Sequence, residues 1–261
     1  MSTTLKTTLD KGIFTIELAR PEVRNAFNDQ LILDLNDTFV KIATDAAVRV
    51  VVIRGQGPVF CAGGDLKWMQ EAIKLAGRDN LEDTRRLARM FAKLNDCPKP
   101  VVGLVHGAVI GGGVGLTSIC DYVIASKETV FSLAEVRLGL IPACIGPFVV
   151  AKIGESHARA YFMSAERFTA ERAHAIGLVH ELVDSPEALN VACDRITKNL
   201  LQCGPNAMHA AKSLVRDLKT KDFEESLEYV AKVLADLRIS PEGQEGLKAF
   251  LEKRKPSWIK E

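Results

Sequence analysis

The chain has no Cys-x-x-Cys pair. Its six cysteines, Cys61, Cys97, Cys120, Cys144, Cys193 and Cys203, have no clustered histidines beside them, which excludes a zinc-ligating pattern and points to reduced, mostly buried thiols. No stretch reaches the ~18 uncharged apolar residues that a bilayer span needs. Residues 1–12 include Lys6 and Asp10 and lack the apolar segment of a leader, so the cytoplasm is the expected compartment. Charge of one sign is missing too: 34 Lys and Arg against 33 Asp and Glu leave a net +1, too little to draw in nucleic acid or an anionic membrane. A Gly-x-Ser-x-Gly elbow is absent, and no glycine run carries the spacing of a dinucleotide or phosphate loop, which removes those hydrolase and nucleotide readings. What is present is an ordinary globular composition, 47% hydrophobic and 26% charged over 261 residues. Such a length buries roughly 70 to 75% of the unfolded chain's surface, enough for a real core.

Periodicity sketches a mixed α/β order. Residues 13–18 alternate as a half-buried strand does, and Leu31, Leu35, Phe39 and Ile42 recur at helical spacing after Asn28. Residues 48–53, apolar except for Arg49, read as a strand buried on both faces. Asp65 reads as a helix cap, and Leu87, Met90, Phe91 and Leu94 place an amphipathic helix over 81–94 that Pro98 and Pro100 end. Residues 101–110 read as one buried strand interrupted by Gly103 and Gly107, followed by a helix to about Ile119. Short strands are predicted at 122–125 and 130–131, and helices at 151–160 and 169–177. Beyond Pro205 three helical segments follow without a strand pattern, so residues 1–204 are predicted as the core domain and 205–261 as a helical region.

Two glycine junctions stand out, residues 61–65 (Cys-Ala-Gly-Gly-Asp) and residues 110–114 (Ile-Gly-Gly-Gly-Val). Each places glycines just before a helix, where first-turn N–H groups lack internal partners and the dipole is positive. Taken singly, each is more often a tight turn. Converging on one carbonyl, they make a backbone oxyanion hole, which stabilises developing negative charge by a few kcal/mol per donor.

With Arg20-Pro21, Asn25-Ala26, residues 60–66, Gly107, residues 111–113, Cys120-Asp121, Glu135 and the Leu-Gly-Leu-Ile-Pro of 138–142 in this order, the chain resembles the crotonase superfamily of enoyl-CoA hydratases and isomerases. The likeness runs end to end, closing with residues 245–255. It implies a spiral of ββα units with a helical C-terminal trimerisation region, assembled as trimers or hexamers, and an acyl-CoA thioester as substrate with no separate cofactor and no metal. It assigns the oxyanion hole to the N–H groups of Gly64 and Gly112, the pantetheine region to Arg24 and Ala26, and the adenine region to Ala62, Asp65 and Leu66. It also places Lys253 near the 3'-phosphate; without the family, a lysine in a basic tail is more often solvated charge.

Hydratases of this superfamily carry two glutamates. The one before the Leu-Gly-x-Ile-Pro turn is Glu135, whereas the position two residues past the glycine triplet is Gly115. A single carboxylate suffices for proton transfer at a thioester enolate, and Asp65 or Glu71 remains open as a second acid. Residues 65–69, 134–143 and 161–168 look most like the methylglutaconyl-CoA hydratase group, several members of which share the glycine. A distal carboxylate on such a substrate calls for a cation, Lys67 or Arg137. The leading expectation is hydration of a branched or short 2-enoyl-CoA through Glu135. The alternatives are an enoyl-CoA isomerase using the same residue and a non-catalytic acyl-CoA-binding protein.

Overall fold

A computed structural model describes residues 4–259. The chain opens with an antiparallel hairpin of β1 (Leu5–Asp10) and β2 (Ile13–Leu18). Lys11 (φ 46°) and Gly12 (φ 83°) form its two-residue turn, both left-handed as a type I′ turn demands. β1 escapes sequence reading because it is an edge strand exposed along nearly its whole length. Helix α1 (Asp29–Thr44) starts where the Asn28 side chain accepts the Leu31 N–H (2.9 Å), and buries the predicted Leu31, Leu35, Phe39 and Ile42.

Next come β3 (Val50–Gly55), α2 (Leu66–Ala72) and α3 (Gly77–Asn95), which packs on α1. The predicted strand over 101–110 is two strands, β4 (Val101–Val105) and β5 (Ala108–Ile110), lying in different sheets. Gly107 causes the break: its φ is +62°, and a Cβ there would lie 2.2 Å from the Pro58 carbonyl oxygen. Then follow α4 (Gly112–Ile119), β6 (Tyr122–Ser126), β7 (Val130–Ser132) and α5 (Gly146–Ser164). α5 is longer than predicted and kinked at Gly154 (φ 77°). β8 (Phe168–Thr169), α6 (Ala170–Ala175), β9 (Glu181–Val183), α7 (Ala188–Gln202), α8 (Pro205–Asp217), α9 (Phe223–Ile239) and α10 (Pro241–Leu251) complete the described chain.

The main sheet runs β1-β2-β3-β4-β6-β9, parallel except for β1. Alternation along the inner strands feeds two cores. Val51 and Ile53 face one side, with α1, α3, α4 and α5, while Val50 and Val52 face the other, against Leu189, Ala192 and Cys193 of α7. A second layer holds β5-β7-β8, extended by a parallel bridge between Cys61 and Val109. Each turn of the chain therefore leaves a main-sheet strand, crosses to the second layer and returns through a helix. The crossings gather at the carboxyl ends of the parallel strands, where open α/β sheets place ligands. Helix α8 lies at the other edge, with Lys212 bonded to Asp121 (2.8 Å) and to the Lys99 carbonyl (3.4 Å), just ahead of β6 and β4.

Candidate active site

The first glycine junction is clipped to the loop that follows β2. The Phe27 N–H donates to the Gly63 carbonyl (2.7 Å) and the Asp65 N–H to the Phe27 carbonyl (2.8 Å), a parallel bridge that turns the N–H of Gly64 to the opposite side. The Ala62 N–H donates to the Arg24 carbonyl (3.0 Å). Buried Asn25 receives the Arg20 N–H (3.0 Å) and reaches the carbonyls of Gln56 (2.9 Å) and Val59 (3.0 Å). Arg20 completes the clip, bonding the Ala26 carbonyl and the Asp65 carboxylate (2.7 Å). Asp65 also accepts the Lys67 N–H (2.8 Å) and caps α2. Burial alone would raise the Asp65 carboxyl, but the Arg20 and Lys67 hydrogen bonds and the Arg20 charge outweigh it and hold the group below its ordinary range. Its carboxylate is thus engaged in structure, by Arg20 and by the first turn of α2.

The second junction enters α4. The Gly111 N–H donates to the Ser132 carbonyl (2.9 Å), carrying the β5–β7 pairing one residue further. Gly112, the first helical residue, has no acceptor a turn before it. The two junctions touch. A Cβ on Gly111 would lie 3.9 Å from the Gly63 Cα, one on Gly63 would lie 3.2 Å from the Ile110 carbonyl oxygen, and one on Gly113 would lie 2.6 Å from the Cys61 carbonyl oxygen. A side chain at Gly113, and to a lesser degree at Gly63, would push the loops apart, so glycine at these positions lets the two loops meet.

Glu135 opens a single 3-10 turn (Glu135–Leu138) just beyond β7. Its Oε1 lies 2.9 Å from where a Gly111 Cβ would be, so the carboxyl rests against the junction. Its Oε2 is buried and has no hydrogen-bond partner among the described residues, and burial raises the carboxyl above the ordinary glutamate range, offset in part by its own backbone N–H. Met69 Sδ and Trp68 Cε3 stand 3.6 and 3.7 Å from the Cβ position of Gly64, over the first donor.

Gly115 has no room for the missing glutamate: a Cβ there would lie 2.3 Å from Ile145 Cγ2 and 2.9 Å from Phe91 Cε1. Leu66, Lys67 and Arg24 are exposed around the first junction, and the Arg137 guanidinium is bonded to the Ala165 carbonyl (3.2 Å). Lys253 does not join them within one chain. Its segment is anchored through Trp258, which donates to the Gln202 carbonyl (2.9 Å) and accepts from Arg49 (3.1 Å), at the edge from which β3 starts. Cys61 is pushed up to about 12 by burial and acts through its backbone, and His106 is held by the Gly57 carbonyl (2.8 Å). Among the described residues no group of three or more His, Cys, Asp or Glu is arranged to hold a metal, and no helix is long and apolar enough to cross a membrane. Sequence reasoning missed Arg20 as the clip and Phe27, Phe91 and Ile145 as packing partners; no local spacing marks contacts that span 45 residues, as Arg20 and Asp65 do.

Comparison with known proteins agrees with this geometry. The enoyl-CoA hydratase/isomerase family matches residues 8–261. The chain is 32% identical over 247 residues to the 2,3-dehydroadipyl-CoA hydratase of Escherichia coli, covering 94% of each protein. It is 31% identical over 255 residues to the trans-2-decenoyl-[acyl-carrier-protein] isomerase of Streptococcus mutans, covering 96% of this chain and 95% of that protein. The crystal structure of an enoyl-CoA hydratase from Shewanella pealeana superposes with a TM-score of 0.96 at 35% identity, over 99% of this chain and 97% of that one. Two glycine loops in contact, a half-buried glutamate against them and these likenesses place the chain in the enoyl-CoA hydratase/isomerase family, the crotonase superfamily.

Proposed function

We propose that this enzyme hydrates a branched or short 2-enoyl-CoA thioester of the methylglutaconyl-CoA type. The observation that carries the reading is the Glu135 carboxyl resting against the contact between the two donor loops. The thioester oxygen accepts the N–H groups of Gly64 and Gly112. Glu135 takes a proton from water as the water oxygen bonds to Cβ, and the π pair moves to the thioester oxygen, where each donor contributes about 3 kcal/mol. The enolate then collapses and Cα takes the proton from Glu135, which returns to its carboxylate. Elevation of the Glu135 carboxyl by burial suits a group that must both accept and return a proton.

Arg24, Ala26, Ala62, Asp65 and Leu66 form a contiguous rim beside the first donor, consistent with their lying along the CoA moiety. In this reading exposed Lys67 answers a distal carboxylate, because Arg137 is already engaged. Lys253 then reaches CoA only from a second copy, in keeping with a trimer or hexamer.

Isomerisation is the second reading, favoured by Gly115. With one carboxylate, Glu135 would remove a proton from C2 of a 3-enoyl thioester and return it to C4. Conjugated-thioester absorbance separates the two: it falls on hydration of crotonyl-CoA or 3-methylglutaconyl-CoA and rises on isomerisation of a 3-enoyl-CoA. Glu135→Gln is expected to keep CoA-ester binding while losing at least ~100-fold of turnover. A parent protein that binds these esters yet converts none of them would be a binding protein, and the catalytic reading would be abandoned.

A further inference from the structure

Gly112 and Gly115 are three residues apart on α4 and so project within about 60° of one another. Neighbours fill the space of both absent side chains: the Phe27 ring at 2.8 Å from the Cβ position of Gly112, and Ile145 and Phe91 at 2.3 and 2.9 Å from that of Gly115. The Phe27 and Phe91 rings are 5.8 Å apart, so Phe27, Phe91 and Ile145 form one apolar wall along this face of the helix. The loop that begins with Glu135 ends at Ile145, whose carbonyl accepts the Phe148 and Val149 N–H groups in the first turn of α5 (3.1 and 3.0 Å). One loop thus carries both the carboxylate and the packing that bars a second one. Among the described residues the buried acids are Asp65 and Asp83, and both are engaged: Asp65 by Arg20 and Asp83 by Arg86 (2.7 Å each).

Resting on the hydratase reading, we infer that Ile145 is a specificity-determining residue. It takes the volume of a second acid, so that the reacting carbons lie between Glu135 and an apolar wall that fits an alkyl substituent on the acyl β-carbon. A carboxylate at that place would lose hydration against an alkyl group, whereas isoleucine and phenylalanine gain contact with it.

The test compares kcat/KM for 3-methylcrotonyl-CoA and crotonyl-CoA, read by loss of conjugated absorbance, in the intact enzyme and its Ile145→Val and Ile145→Ala variants. The parent should favour the branched ester. That preference should fall about 10-fold in Ile145→Ala and about 3-fold in Ile145→Val, the scale of small apolar groups in a hydrophobic pocket. The milder variant decides the matter if the larger truncation does not fold. Melting temperatures supply a readout independent of turnover: Gly115→Ala should cost stability in the parent and much less in an Ile145→Ala background. A parent that prefers crotonyl-CoA, or folded variants whose preference moves less than about 2-fold, overturns the inference while leaving the hydratase reading intact. A parent that hydrates neither ester overturns both, even if the melting temperatures couple.

Discussion

Glu135 carries opposite demands on stability and chemistry. Its folded carboxyl titrates above its unfolded one, so the native state is favoured while the group is protonated, and that stability is lost as pH rises through the folded value. Glu135→Gln should therefore be as stable as the parent or more so near pH 8, with the difference vanishing below the ordinary glutamate range. Thermal melts at the two pH values check this, and a variant less stable at pH 8 would refute it. Asp65 works in the other direction. Its depressed carboxyl stabilises the fold above the ordinary aspartate range, and that contribution is lost as pH falls through the folded value. Breaking its pair with Arg20 leaves a buried carboxylate with only the Lys67 and Trp68 backbone donors. Arg20→Met should cost about 3 kcal/mol by denaturant titration and raise KM for CoA esters, since the same clip shapes the Gly64 loop. Of these residues, the motifs marked Glu135, Gly64 and Gly112. Arg20 lay inside a quoted motif without a legible role, because its partner is 45 residues away.

At the level of elements, the glycines decide where strands end. Sequence periodicity made residues 101–110 a single strand, because Val, Leu and Ile continue on both sides of Gly107. The backbone instead leaves one sheet for the other at that glycine, which is pressed on the Pro58 carbonyl. Gly107→Ala forces both a left-handed φ and an overlap at 2.2 Å, so a loss of at least about 3 kcal/mol, or failure to fold, is expected by chemical denaturation. A near-neutral change would show that the layer crossing is not held by close packing there. Elements with a clean apolar stripe, α1 and α3, were legible, although α3 begins at Gly77 rather than Leu81. β1, β9 and α7 went unread: the two strands carry too little alternation, and α7 is recognised mainly by the sheet face it covers.

Over the whole molecule, the described chain leaves large apolar side chains uncovered on α9 and α10: Phe223, Ile239, Phe250 and Leu251 are 74–82% exposed. Such surface is costly in a monomer and fits the proposed association through the C-terminal helices. Light scattering after gel filtration should give a trimer or hexamer, and Phe250→Asp should shift the population to smaller species; a parent that stays monomeric at micromolar concentration would sink the proposal. Read alone, the amino-acid order determined the α/β class, the two glycine junctions and Glu135 as the candidate acid, because helix starts, buried strands and family motifs are written in neighbouring residues. Contact between the junctions, the burial of the Glu135 Oε2 and the filling of the space beside Gly115 by Ile145 were decided only by the tertiary structure. Those features depend on which side chains, tens of residues apart, the spiral brings within van der Waals distance, and no local pattern encodes that choice.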